Sequence, residues 1–239
     1  MNASSVEHAP MRVINITKFL PCDFPQRLAA DAIHLWFFPR WPGPLRQVAQ
    51  SPLLLALLAA YAGRNAADLC IERGEHGKPY LHNSPLEFNL SHSGTALLLG
   101  LSRQQPLGVD IEALQRDRPV LDLAHRWFSA REAAALDALP ESLHQLGFRR
   151  LWNCKEAVLK AYGRGIGYGL EQVAFDLDSE ANVAAIGKIG GGAESAAWQI
   201  RSLTLQEGVT GALAWCGPAH AVSAFVADAD HINCLAPGL

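Results

Sequence analysis

Apolar positions along the chain follow two rhythms, a period of two in some stretches and of three to four in others. In residues 11–20, Val13, Ile14, Ile16 and Phe19 are mixed with polar positions in the manner of a strand. Residues 26–35 predict a helix, and Pro39, Pro42 and Pro44 then mark an irregular connection. Residues 45–61 read as a helix that Ser51-Pro52 breaks or restarts, since proline is tolerated in a helix's first turn, and Gly63 ends it. Short strands are expected at 69–71, from 88–90, at 96–101 and at 107–111, with a turn-rich loop at 74–79. Ser129 with Glu132 forms a capping box that starts a helix over 129–139. A second long helix over 146–162 stops at Gly163. Strands follow at 173–177, 198–205, 212–215 and 221–226, and Gly190-Gly191-Gly192 reads as a flexible hairpin connection. Strands mixed with helices in each half give an α+β class. The polar turn near residues 103–106 is the expected boundary between an N-terminal half (1–105) and a C-terminal half (106–239).

Composition narrows the class. The chain has 239 residues, 49% hydrophobic and 18% charged, an ordinary globular mix able to bury a core in each half. A net charge of -3 gives no global field for nucleic acid, so any anion must be held by a few local basic groups. Cys22, Cys70, Cys154, Cys216 and Cys234 are scattered and odd in number, without a CxxC pair, which argues against zinc and against a disulfide framework. They read as reduced packing residues of a cytoplasmic protein. The polar first ten residues carry no signal pattern, and the longest apolar run, 53–60, is too short for a bilayer, so no membrane association is expected.

Four clusters carry candidate chemistry. In Gly108-Val109-Asp110-Ile111-Glu112, a strand would project Asp110 and Glu112 from one face with Val109 and Ile111 on the other. Two carboxylates side by side repel unless a cation screens them, and oxygen ligands alone suit a hard ion such as Mg²⁺. The plainer reading is two solvated acids. In Trp152-Asn153-Cys154-Lys155-Glu156-Ala157-Val158-Leu159-Lys160, Glu156 and Lys160 share a helix face, either as a surface ion pair or as a third carboxylate beside a phosphate-binding cation. Asn89-Leu90-Ser91-His92-Ser93-Gly94 offers hydroxyls and an imidazole suited to phosphate, against a purely structural histidine. Gly77-Lys78-Pro79 is a stiffened turn with a lysine and lacks the P-loop pattern.

Taken in order, these clusters, with Arg126-Trp127-Phe128-Ser129 and Glu132 between the second pair of motifs and Gly163 and Gly165 at the end, resemble the Sfp-type phosphopantetheinyl transferases. The resemblance runs over residues 74–167. It implies a pseudo-dimer of two similar α+β halves with the active site between them. It implies transfer of the 4'-phosphopantetheine group of coenzyme A to a serine hydroxyl of an apo acyl or peptidyl carrier protein, releasing 3',5'-ADP, with Mg²⁺ as cofactor and a monomeric enzyme. By match of residues, Asp110, Glu112 and Glu156 hold the metal, Glu156 and Lys160 are catalytic, and Lys78, Ser91, His92, Lys155 and Lys160 bind the coenzyme, His92 near its 3'-phosphate. Relatives carry several basic residues in the first long helix. Here no positive charge falls between Gln47 and Arg64, which leaves Arg40 and Arg46 as candidates for the 3'-phosphate. Trp127 and Phe128, rimmed by Arg126 and Arg131, are either core or a dock for an acidic carrier. Two other readings stand beside this one: a Mg²⁺-dependent pyrophosphatase acting on coenzyme A or another nucleotide, and a non-catalytic module that binds coenzyme A or a carrier.

Overall fold

The computed structural model describes residues 14–22, 26–114, 118–163, 169–189 and 198–227, so the expectations on residues 1–13, Gly165 and Gly190-Gly191-Gly192 lie outside the described residues. The fold is mixed α and β. In chain order come β1 (Ile14–Ile16), β2 (Leu20–Pro21), β3 (Ala32–Phe38), α1 (Pro52–Ala62), β4 (Ile71–Arg73), β5 (Pro79–Leu81), β6 (Leu86–Ser93), β7 (Ala96–Arg103) and β8 (Leu107–Ala113). Then follow α2 (Val120–Trp127), α3 (Ala130–Asp137), α4 (Glu141–Tyr162), β9 (Val173–Leu177), β10 (Val183–Ile189), β11 (Trp198–Gln206), β12 (Val209–Cys216) and β13 (Ala221–Val226). One sheet has the order β2-β13-β3-β7-β6 and another the order β1-β11-β12-β8, while β4 with β5 and β9 with β10 form separate pairs.

The helix expected over 26–35 is a correction: part of that stretch is β3, and no helix forms there. The run Ala-Ile-His-Leu-Trp-Phe-Phe is buried at every position, because β3 lies inside the larger sheet between β13 and β7. A strand covered on both faces needs a continuous apolar run, which periodicity alone does not separate from a buried helix. Trp36 and Phe38 pack with Leu54, Leu57 and Leu58 of α1. Ile33, Leu35 and Phe37 point the other way, onto Leu107, Val109 and Ile111 of β8 and Leu213 and Trp215 of β12. The two sheets thus share a core, and the far face of the smaller sheet is covered by α4, through Ala157 and Val158 against Ile200, Ala212 and Ala214.

Elsewhere the local signals hold. A 3-10 turn over Leu45–Gln50 precedes α1, which restarts at Pro52 in its first turn and ends at Gly63 in a left-handed conformation. The capping box at Ser129 and Glu132 starts α3, and α4 stops at Gly163 with φ 69°. Helix α2, bracketed by Pro119 and the capping box and only 8 residues long, goes unread in the sequence. Among the described residues no helix is long and apolar enough to cross a membrane.

Candidate functional site

Strand β8 is where the two sheets meet. Its even positions face α4, and Gly108 makes the approach possible: a Cβ there would stand 2.0 Å from the carbonyl oxygen of Ala157 and 2.4 Å from the nitrogen of Ala161. Its other flank is stitched to β6 by side chains. Asn89 Oδ1 accepts from the Val109 amide at 2.8 Å, Ser93 Oγ accepts from the Ala113 amide at 3.0 Å, and Ser91 Oγ donates to Asp110 Oδ1 at 2.9 Å. Alternate residues of β6 therefore satisfy an edge that would otherwise expose unpaired backbone donors. Leu90, Ser91 and His92 of β6 all line the cleft.

That cleft is a pocket of about 330 Å³ walled by Ser91, His92, Asp110, Glu112, Trp152, Glu156 and Lys160 among others. The structure therefore brings together the acids of the β8 motif, the Glu156 and Lys160 of α4, and two of the β6 residues. Asp110 Oδ1 takes the Lys160 ammonium at 2.6 Å as well as the Ser91 hydroxyl, and its Oδ2 takes the Asn153 amide at 2.9 Å. Lys160 also donates to Ser91 Oγ at 3.0 Å. Lys160 is thus tied to Asp110 and Ser91 rather than lying along the helix as a plain surface partner of Glu156.

The three carboxylates strain against one another. Burial, and next the charge of Asp110, push the Glu156 carboxyl up to about 7. The same two causes, in the same order, raise Glu112, with Arg118 and the Ser93 hydroxyl opposing them. Glu156 is only 8% exposed, and its Oε1 is buried with no hydrogen-bond partner. An orphaned carboxylate oxygen beside two further carboxylates, with oxygen donors only, fits a hard divalent cation. Among the described residues no group of three or more His, Cys, Asp or Glu is placed so that it could hold a metal ion as the side chains stand; the cation at Asp110 is Lys160.

A second pocket of about 270 Å³ opens on the other side of Glu156 and Lys160, lined by His76, Gly77, Lys78, Pro79, Asn89 and Leu90 together with Leu159 and Gly163 of the helix end. Lys78 donates to the Leu107 carbonyl at 2.9 Å, and its burial lowers its pKa. The Gly77-Lys78-Pro79 turn, β6 and the end of α4 thus converge on one groove.

Three expected residues lie elsewhere. Lys155 is fully buried and points away from both pockets: its ammonium binds Glu132 Oε2 at 2.8 Å, the Leu170 carbonyl at 3.0 Å and the Val173 carbonyl. One position before Glu156, it turns about 100° around the helix and so enters the core instead of reaching a ligand. Arg40 and Arg46 are exposed and line neither pocket. Arg40 sits between residues bonded to the β6–β7 turn, where Trp41 donates to the Thr95 carbonyl at 2.9 Å. Trp127 is exposed beneath Arg126, whose guanidinium lies 4.9 Å from its ring, whereas Phe128 is core and stacks on Phe148. Arg131 pairs with Asp176 at 2.9 Å.

Several contributors carry no mark in the sequence. Asn153 and Thr210 support Asp110 from behind. Arg118, held over the rings of Phe148 and Trp152, and the buried Arg149 both bring positive charge near Glu112. Glu132 could be read only as a cap; its second task, holding Lys155, depends on a tertiary contact.

Residues 106–216 match the family model of the 4'-phosphopantetheinyl transferase superfamily. Relatives include the 4'-phosphopantetheinyl transferase HetI of a Nostoc species, 37% identical over 125 residues, which are 51% of this chain and 53% of that protein. A putative 4'-phosphopantetheinyl transferase of a Synechocystis species is 35% identical over 153 residues, 60% of each chain. The 4'-phosphopantetheinyl transferase Sfp of Bacillus subtilis is 32% identical over 120 residues, 49% of this chain and 52% of its own. The matches thus span between about half and three fifths of these relatives' lengths.

Proposed function

We propose, from the match of residues 106–216 to the family model of the 4'-phosphopantetheinyl transferase superfamily, that this protein transfers the 4'-phosphopantetheine group of coenzyme A to a serine hydroxyl of an apo carrier protein and releases 3',5'-ADP. The observation that carries the reading is the convergence of Asp110, Glu112, Glu156 and Lys160 in one pocket beside the groove of Lys78. Carboxylates alone would repel a pyrophosphate. Asp110, Glu112 and Glu156 are therefore the residues to hold Mg²⁺, which when bound supplies positive charge to the oxygens of the donor. Lys160 and Lys78 add cationic donors on either side, and Ser91 and His92 extend the polar wall toward the nucleotide end.

The transfer needs a deprotonated hydroxyl, a phosphorus held in line, and a stabilised leaving group. Glu156, the α4 carboxylate that faces the cleft beside Asp110 and Glu112, takes the proton from the carrier serine. The serine oxygen then forms a bond to the phosphorus next to pantetheine as that phosphorus loses its bond to the bridging oxygen, and 3',5'-ADP departs with the electron pair. Lys160 stabilises the charge that develops there. No residue of this chain is modified. The exposed Trp127 under Arg126 offers an apolar, positively charged surface for an acidic carrier. The protein acts as a monomer in the cytoplasm; light scattering tests the oligomeric state, and cell fractionation the location.

The deciding experiment is intact-mass spectrometry of an apo acyl carrier protein incubated with this protein, coenzyme A and Mg²⁺. A gain of one phosphopantetheine is expected, lost with EDTA and reduced by roughly 10²–10⁴-fold in Glu156→Gln. Cleavage of coenzyme A with no gain on the carrier would make the protein a pyrophosphatase instead. Binding of coenzyme A with neither product would make it a non-catalytic module.

A further inference from the structure

Asp110 receives contacts from two sides. Its Oδ1 faces the cleft, where Ser91 and Lys160 reach it. Its Oδ2 is turned into the protein and meets Asn153, which is fully buried on α4. Asn153 is held in its turn, because the Thr210 hydroxyl of β12 donates to its Oδ1 at 2.8 Å. Thr210 is itself 5% exposed and stands directly across the β12–β8 ladder from Glu112. Neither Asn153 nor Thr210 lines the pockets on either side of Glu156.

The order of donors in this chain is fixed by chemistry. A carboxylate only accepts, so Asn153 must present its NH₂ to Asp110. An amide flipped the other way would set oxygen against oxygen in a buried place, at a cost no neighbour offsets. The Thr210 proton, given to the opposite end of the amide, is what favours the correct orientation. The torsion that turns a carboxylate about its last bond is broad, so the plane of Asp110 needs an outside restraint. Asn153 supplies it, and the restraint reaches back to the strand that neighbours Glu112.

Resting on the transferase reading above, we propose that Thr210 and Asn153 form a two-residue positioning relay that sets the plane of the Asp110 carboxylate and thereby its grip on Mg²⁺ and on Lys160. They are positioning residues and touch no substrate. Outer-shell partners of ligating carboxylates commonly contribute roughly 10–100-fold to metal affinity or activity.

The test is Thr210→Val, which keeps the shape and removes the hydroxyl, compared with Thr210→Ser, which keeps the hydroxyl. Three quantities are read on folded protein: Mg²⁺ affinity by titration calorimetry without coenzyme A, kcat with an apo carrier, and KM for coenzyme A. For Thr210→Val, Mg²⁺ affinity and kcat are expected to fall by roughly 10–100-fold with KM for coenzyme A unchanged, and Thr210→Ser should recover both. Asn153→Leu, close in volume, should show the same loss, and adding Thr210→Val to it should cost nothing more, as members of one chain do not add. If the wild type transfers while both variants keep its Mg²⁺ affinity and kcat, the relay is wrong and the transferase reading stands. A drop confined to melting temperature would equally overturn it, leaving only a structural hydrogen bond. A wild type that neither transfers nor binds Mg²⁺ overturns the transferase reading, and the relay with it.

Discussion

An ammonium group taken wholly out of water must be held from several sides or lose its proton. Lys155 is held by Glu132 and two carbonyls, yet burial still lowers its pKa, with Glu132 the main opposing influence. Removing one partner strands the other. Lys155→Met should therefore destabilise the protein by about 3–5 kcal/mol in urea unfolding, and pairing it with Glu132→Gln should recover part of that loss. Because Lys155 lies away from the cleft, KM for coenzyme A should stay unchanged in the surviving folded fraction; a raised KM would return this lysine to the ligand. His34 poses the opposite case, a buried imidazole beside the Tyr61 hydroxyl at 2.9 Å, with its pKa below 6.5 through burial. The unfolded chain takes up a proton there more readily than the folded one. The contribution of His34 is thus complete above about pH 6.5 and is lost as pH falls from there through the folded-state value. Urea midpoints at pH 7.5 and 5 should fall less on acidification in His34→Gln than in the wild type, and equal falls would exonerate His34. At this scale the sequence showed residue types and spacing, enough to set Asp110, Glu112, Glu156 and Lys160 apart. It could not show that Lys155, adjacent to Glu156, turns inward, because burial is decided by elements far along the chain.

The elements that carry the acids, β8 and α4, cross at backbone contact, and a glycine makes that possible. A methyl at Gly108 would overlap the Ala157 carbonyl, which is backbone and cannot rotate aside. Gly108→Ala should push α4 away from β8 and destabilise the protein by about 1–3 kcal/mol through overpacking, measured as a lower urea midpoint. The same shift separates Glu156 from Asp110, so transfer per folded molecule should fall too. An unaltered rate would mean that the crossing distance is not what aligns the acids. Here the sequence was legible where termination and capping are local: Pro52, Gly63, the Ser129 box and Gly163 all mark helix ends. It misled at Ala32–Phe38, where good helix formers run into an apolar stretch whose strand character comes from β13 and β7 on either side.

The chain as a whole does not divide its sheets by sequence. The polar turn after β7 leads from the larger sheet into β8 of the smaller one, yet the end strands cross back. Near the start, β1 pairs in parallel with β11 in the smaller sheet, while β13 near the other end lies between β2 and β3 in the larger one. Nothing in Ala-Val-Ser-Ala-Phe-Val names its partner, because strand pairing at this separation is settled by the shared core and not by local pattern. A chain of residues 106–239 would keep the three acids but leave β13 without a sheet and Leu107, Val109 and Ile111 without Ile33, Leu35 and Phe37 to cover them. A chain of residues 1–105 would lack β13 and leave the edge of β3 open, a template for aggregation. Neither fragment alone should therefore melt cooperatively by circular dichroism, whereas the two mixed or co-expressed should regain a single transition and with it transfer activity. A cooperative melt from 106–239 alone would show that the half holding the carboxylates folds independently, and that the shared core between the sheets serves only to form the groove of Lys78.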